Sequence, residues 1–144
     1  MLTNDPMVES TMKAVEDKLW CKTAVGGVAR YEGDAYHAVS GSYDGAVGNP
    51  WFICTIWLAQ YHIARAQAVV ELKPALDLLL WVADHALPSG VLAEQLHPVT
   101  GAPLSVAPLT WSHATFVAAI REYLAKRREL LGLGPQRPTR YRAL

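Results

Sequence analysis

An all-α fold of about four main helices is what this sequence predicts, and three observations predict it. Apolar residues recur at helical spacing in four stretches, and prolines 6, 50 and 74 stand at or just before three of the starts. No run alternates apolar and polar residues strongly enough to read as a strand. The connections alternate long, short and long, a layout in which the two long loops lie at the same end of the helices.

Asp5 before Pro6 offers an N-cap and a first-turn proline, so the first helix is predicted from there to about Trp20. Met7, Thr11, Ala14, Val15 and Leu19 approximate its apolar stripe, with Glu9, Lys13, Glu16 and Lys18 outward. The following loop, "VGGVARYEGDAYHAVSGSYDGAVGNP", gathers glycines, aromatics and acids without periodicity. Loops this long more often carry function than merely connect. "WFICTIWLAQYHIARAQAVVEL", residues 51–72, reads as a second, largely buried helix with Pro50 at its first turn. Pro74 opens a third, "PALDLLLWVADHAL", ended by Pro88, Ser89 and Gly90. Across a second long loop, Thr110 begins a fourth helix, with Ala114, Val117, Ile120 and Leu124 on one face and Glu122 positioned to pair with Lys126. Residues 1–131 are expected to form the folded part, and 132–144 a polar, partly disordered tail.

With 144 residues, 51% of them hydrophobic and 18% charged, the chain supports one core and is short for two domains. Thirteen basic residues balance thirteen acidic ones, so no net field favours nucleic acid or an anionic membrane. The basic residues near the end, Arg121 to Arg142 among them, lack interleaved aromatics and read as a solvated helix face and tail. Apolar runs are too short or interrupted to span a bilayer, and "MLTNDPMVES" lacks the pattern of a signal peptide, so a soluble, cytoplasmic chain is expected. Cys21 and Cys54 are expected as buried, reduced thiols. Two cysteines and five histidines without paired spacing suggest no metal, and no cofactor motif is present.

The two long loops contribute Arg30, Tyr31, Glu32, Asp34, Tyr36, Asp44, Trp51, Glu94, Gln95, Ser105 and Trp111. That is a saccharide-binding set of side chains. The apolar CH faces of sugar rings stack on tryptophan and tyrosine, and their hydroxyls take planar or bidentate partners such as Arg, Asp, Glu and Gln. A carboxylate in such a pocket serves as general base or nucleophile in glycoside cleavage. Each residue also has a purely structural account. Glu94 can cap a turn or pair with an arginine, the two tryptophans can be packing residues at helix starts, and Arg30 can form a surface ion pair worth little. Other chemistries have weaker support: there is no GxSxG elbow, Walker loop, dinucleotide fingerprint or HExxH, and adjacent Ser112 and His113 point to different faces of a helix.

Three motifs, "RYEGDAY" at 30–36, "GNPWFICT" at 48–55 and "AEQ" running on to "PLSVAPLTWSHA", resemble in order and spacing the C-terminal part of glycoside hydrolase family 15. This is the glucoamylase and glucodextranase family. The separation of seventeen positions between Glu94 and Trp111 matches as well, and the resemblance extends over residues 5–130. It implies the C-terminal portion of an (α/α)6 barrel, with the active site at the end where the long loops gather. In that family the acid of the "EQ" motif, here Glu94, is the general base of an exo-acting, inverting α-glucosidase. A serine matching Ser105 hydrogen-bonds the base, and a tryptophan matching Trp111 lines the glucose pocket. By the same matching Arg30, Asp34, Tyr36 and Trp51 hold sugars, while Gln95 supports Glu94.

The stretch between Tyr36 and Gly48, "HAVSGSYDGAV", is longer than in fungal glucoamylases, which bears on how Tyr36 is placed against Trp51. No residue here matches the family's general acid, and the resemblance gives Glu32 no such role. The reading is therefore a partial glycosidase, acting on an α-glucan or α-glucoside and inactive by itself, whose remaining helices come from elsewhere, including another polypeptide. The alternatives are a noncatalytic saccharide-binding or assembly module completed by another chain, and a plain helical interaction domain. Linkage is left open among α-1,4, α-1,6 and trehalose.

Overall fold

The computed structural model describes residues 5–38 and 46–134. Its elements are α1 (Pro6–Leu19), α2 (Phe52–Arg65), a 3-10 turn (Val69–Leu72), α3 (Lys73–Asp84), a two-residue hairpin of β1 (Gln95–Leu96) and β2 (Pro103–Leu104), and α4 (Thr110–Leu130). The predicted four helices are present. Asp44, within the long first loop, and the tail from residue 135 lie outside the described residues.

Helix α2 is the centre of the packing, in contact with both α3 and α4. Phe52, Ile56, Ala59 and Ile63 of α2, Ala75, Leu79 and Val82 of α3, and Ala119 of α4 share one core, which Leu92, Ala93 and Leu96 of the second loop complete. Helix α1 starts where expected, with the Asp5 side chain accepting the Met7 amide at 2.8 Å.

Several details differ from the sequence reading. The second helix stops at Arg65 instead of running to residue 72, because the backbone turns extended at Ala66. The Glu71 carboxylate then accepts the Gln67 amide, and the 3-10 turn delivers Leu72, 2% exposed, into the core just ahead of α3. In α1 the face on the core is Val8, Met12, Val15 and Leu19; the last two are as predicted, but Val8 and Met12 stand in for Met7 and Thr11, and Met7 is 76% exposed. The same packing also brings Glu9 to Arg65 and Glu16 to His62 of α2.

In α4 the core face is Phe116, Ala119, Ile120 and Tyr123, leaving Val117 and Leu124 exposed. The rotation is fixed at the first turn, where Ser112 donates to the Ala93 carbonyl at 2.8 Å and His113 Nε2 accepts the Leu92 amide at 3.0 Å. These bonds make Ser112 and His113 anchors of the second loop. Glu122 accepts from Gln60 of α2 instead of pairing with Lys126, which reaches Glu129.

Both long loops gather at the N-terminal ends of α2 and α4. Isolated antiparallel bridges join Trp20 to Val28, Ala29 to Pro50 and Trp51 to Gln95. The Trp51 amide donates to the Val28 carbonyl, the Leu96 amide to Pro50, and the Glu94 amide to Val106. Gly27 makes this possible: at φ +85 it lies where a Cβ would stand 2.5 Å from the Trp81 ring and 2.8 Å from Pro50. The hairpin within the second loop turns through Gly101 at φ +69, a local strand pair absent from the predicted pattern because two residues a side give no periodicity to read.

Candidate functional site

The first loop builds a cationic, aromatic cluster. Arg30 forks onto Asp34, with Nε donating to Oδ2 at 2.8 Å and Nη2 to Oδ1 at 2.7 Å. The same Oδ1 accepts the Tyr36 amide at 3.0 Å, so the buried Asp34 fixes both its arginine and the turn that presents Tyr36. Burial pushes the Asp34 carboxyl up, but the Arg30 fork and the Tyr36 amide outweigh it and hold the acid below its ordinary value. The guanidinium also lies over the rings of Trp51, Tyr31 and Tyr36, at 4.5, 5.0 and 5.3 Å from their centroids. Trp51 is 3% exposed, and its buried indole N–H has no acceptor among the described residues.

The second loop holds the acid. Ser105 donates to Glu94 Oε2 at 2.5 Å, and Gln95 Nε2 donates to the same oxygen at 3.3 Å. Gln95 is fully buried, and its own oxygen accepts from Asn49 Nδ2 at 2.9 Å. Asn49 also donates to the His37 carbonyl, tying the two loops together behind the carboxylate. Ser105 stands 3.4 Å from the Tyr36 hydroxyl, and because its own hydrogen goes to Glu94 it accepts from Tyr36. Tyr36 therefore links the two loops, its amide held by Asp34 and its hydroxyl against Ser105, which bonds Glu94.

Of the residues singled out in the sequence, Arg30, Asp34, Tyr36 and Trp51 form one cluster, Glu94, Gln95 and Ser105 another, and the Tyr36–Ser105 contact joins them. Tyr36 and Trp51 are placed together despite the longer intervening stretch, with ring centroids 6.1 Å apart. Trp111 stands apart from this network. It is half-exposed on the first turn of α4 and meets the Trp57 ring of α2 at 5.6 Å and 64°. Glu32 is exposed.

Sequence reasoning missed three contributors. Asn49 sits inside the quoted "GNPW" and was given no role. Thr55 accepts the Val28 amide and donates to the Trp51 carbonyl, holding the first loop to α2. Trp57 lay in an apolar run with nothing to set it apart.

Among the described residues no group of three or more His, Cys, Asp and Glu side chains is arranged to hold a metal, and no helix is long and apolar enough to cross a membrane. Cys21 and Cys54 are free, and burial pushes both thiols up to about 11, which keeps them protonated and unreactive at neutral pH.

Among the described residues, helices whose long loops meet at one end bring an acid braced by serine and glutamine to that end. Comparison with known proteins finds relatives of this arrangement. The family model described as glycosyl hydrolases family 15 matches residues 75–121. An uncharacterized glycosyl hydrolase of Methanocaldococcus jannaschii is 31% identical over 128 residues, covering 83% of this chain and 19% of that protein. The crystal structure of a bacterial glucoamylase complexed with acarbose superposes with a TM-score of 0.68 at 24% identity, over 87% of this chain and 18% of the glucoamylase. The chain is thus similar in sequence to part of the glycoside hydrolase family 15 proteins, and its fold is that of part of the (α/α)6 barrel of a glucoamylase. It spans about a fifth of the length of these relatives.

Proposed function

We propose that this chain supplies the general-base side of an exo-acting, inverting α-glucosidase site of the glucoamylase kind. The observation that carries the reading is the Glu94 carboxylate, fixed by Ser105 at 2.5 Å and by the buried Gln95, with Tyr36 of the other loop in contact through Ser105. Glu94 accepts a proton from a water attacking the anomeric carbon, which inverts the centre and releases β-glucose. Two of its neighbours occupy one oxygen, Oε2, which leaves Oε1 as the atom to receive the proton. The carboxylic acid that protonates the leaving oxygen stands roughly 6.5–9.5 Å away in inverting enzymes and comes from helices beyond this segment, on the same polypeptide or on a partner.

Arg30, Tyr36 and Trp111 hold the sugar, while Trp51, expected from the sequence to touch it, is 3% exposed and instead backs the Arg30 guanidinium. The guanidinium offers donors to hydroxyls, and the rings offer faces to pyranose CH groups. Asp34 orients Arg30, and Gln95 orients Glu94. That a glucoamylase of this fold is complexed with acarbose supports an α-glucoside as the ligand class.

The test is a pair of measurements on the purified 144-residue protein. Acarbose is expected to change its tryptophan fluorescence, with the change lost in Trp111→Ala, while maltose, isomaltose and trehalose release little or no glucose. A fluorescence signal indifferent to acarbose sinks the saccharide site. Glucose release abolished by Glu94→Gln overturns the need for an outside acid. The noncatalytic saccharide-binding alternative is favoured by the half-exposed Trp57 and Trp111 pair. Anomer-resolved NMR of the products of a completed barrel separates the two, since only a catalytic site yields β-glucose first.

A further inference from the structure

We infer that Trp57 is a positioning residue for the Trp111 indole; this deepens the saccharide-site reading and rests on it for its functional consequence. Helix α2 buries Phe52, Ile53, Ile56, Leu58 and Ala59, yet it leaves the large Trp57 ring 47% exposed. An aromatic side chain kept half in the open on a core helix calls for a partner, and the partner is Trp111. The two rings meet at 5.6 Å and 64°, the edge-to-face arrangement that the aromatic quadrupole favours.

Trp111 needs such a partner. Its backbone is fixed beside the acid, because the next residue, Ser112, is bonded to the carbonyl of Ala93, which precedes Glu94. Its side chain is 51% exposed, so burial does not select one rotamer. Free rotation would have to be lost each time a sugar stacked on the ring, at a cost in affinity. Contact with the Trp57 ring removes that freedom in advance. The seam between the two helices is itself pinned by Gln60, which donates to Glu122 at 2.9 Å, so Trp57 is held on a fixed mount. The result is a half-exposed aromatic corner against which an apolar sugar face can stack.

The experiment is 19F NMR of the full chain labelled with 5-fluorotryptophan, whose five indoles are assigned by substitution, with acarbose as the probe. Trp57→Ala is expected to move and narrow the Trp111 resonance and to weaken acarbose about two- to tenfold, the range an aromatic pair of this kind is worth. Trp57→Leu keeps apolar volume without an aromatic ring and is expected to do the same. Trp57→Phe restores a ring and is expected to recover both readouts. A Trp111 resonance and acarbose affinity unchanged in Trp57→Ala overturn the inference, as does a Trp57→Phe variant as impaired as Trp57→Leu. If the unsubstituted chain does not bind acarbose, the saccharide reading fails, and the Trp111 resonance alone then decides whether Trp57 holds the indole.

Discussion

Ser105 donates its hydroxyl hydrogen to Glu94 at 2.5 Å from a backbone held at φ 61, a left-handed conformation that a residue with a Cβ adopts at a cost. The loop keeps a serine where glycine fits better, and the hydroxyl is what glycine lacks. Ser105→Ala is expected to destabilise the chain by about 1 kcal/mol through the lost bond. Ser105→Gly loses the same bond but relaxes the backbone, by about 1 kcal/mol, and so should be the more stable of the two. Urea unfolding of both variants checks the order, and an alanine variant at least as stable as the glycine one would refute it.

Gln95 is fully buried between Asn49 and Glu94. Replacing it with leucine leaves the Asn49 amide without that acceptor, an expected loss of about 1–3 kcal/mol. Gln95→Glu is expected to be worse at neutral pH, since it buries a second carboxylate against Glu94, and to recover partly as acidification protonates it. Unfolding free energies at neutral and mildly acidic pH give the comparison.

Arg30 engages Asp34 through two nitrogens and lies 4.5 Å from the Trp51 centroid. Lysine keeps the charge but has neither the fork nor the plane, so Arg30→Lys is expected to cost about 1–2 kcal/mol and to alter Trp51 emission. In the unsubstituted chain the depressed Asp34 acid adds stability that is fully present above its ordinary value near 3.8 and is lost as pH falls through the lower native value. Emission and unfolding indistinguishable from the unsubstituted protein would remove Arg30 from the cluster.

Gly27→Ala should be among the most damaging single-methyl additions. The new Cβ would stand 2.5 Å from the Trp81 ring at a backbone φ of +85. Together these effects are expected to cost about 2–4 kcal/mol and to loosen the first loop, visible as faster amide exchange at Val28 and Trp51. Unaltered exchange at those amides would contradict the proposed packing.

His62 joins α2 to α1 through Glu16 at 2.9 Å. Burial lowers its affinity for a proton more than Glu16 raises it, so its native value lies below the ordinary 6.5. The unfolded chain therefore binds that proton first as pH falls. Stability should hold above about 6.5 and decline below it until the lower native value is passed. In His62→Gln this part of the decline should vanish, which urea titrations between about pH 7.5 and 5.5 would reveal; equal slopes for both proteins would exclude it.

How much was legible in the sequence varied with the kind of information. Helix starts at Pro6, Pro74 and Thr110 were readable because caps, prolines and periodicity act within a turn or two. The end of α2 was not, because Ala66 to Leu72 carries no glycine or proline and the break serves to bury Leu72. The inward stripes of α1 and α4 each came out partly wrong. Two adjacent stripes in each helix satisfy the 3.6-residue period, and contacts with other elements select between them.

The candidate site divides the same way. By itself the sequence determined the helical class, the two chemistry-bearing loops and the identities of Arg30, Asp34, Glu94, Gln95 and Ser105, since these follow from local spacing and from motif resemblance. Only the tertiary structure decided that Tyr36 meets Ser105, that Asn49 braces Gln95 and that Trp57 meets Trp111, pairs separated by 69, 46 and 54 positions. Such contacts depend on how α2 and α4 pack and on the backbone bridges that lace the loops together, and no periodicity along the chain records them.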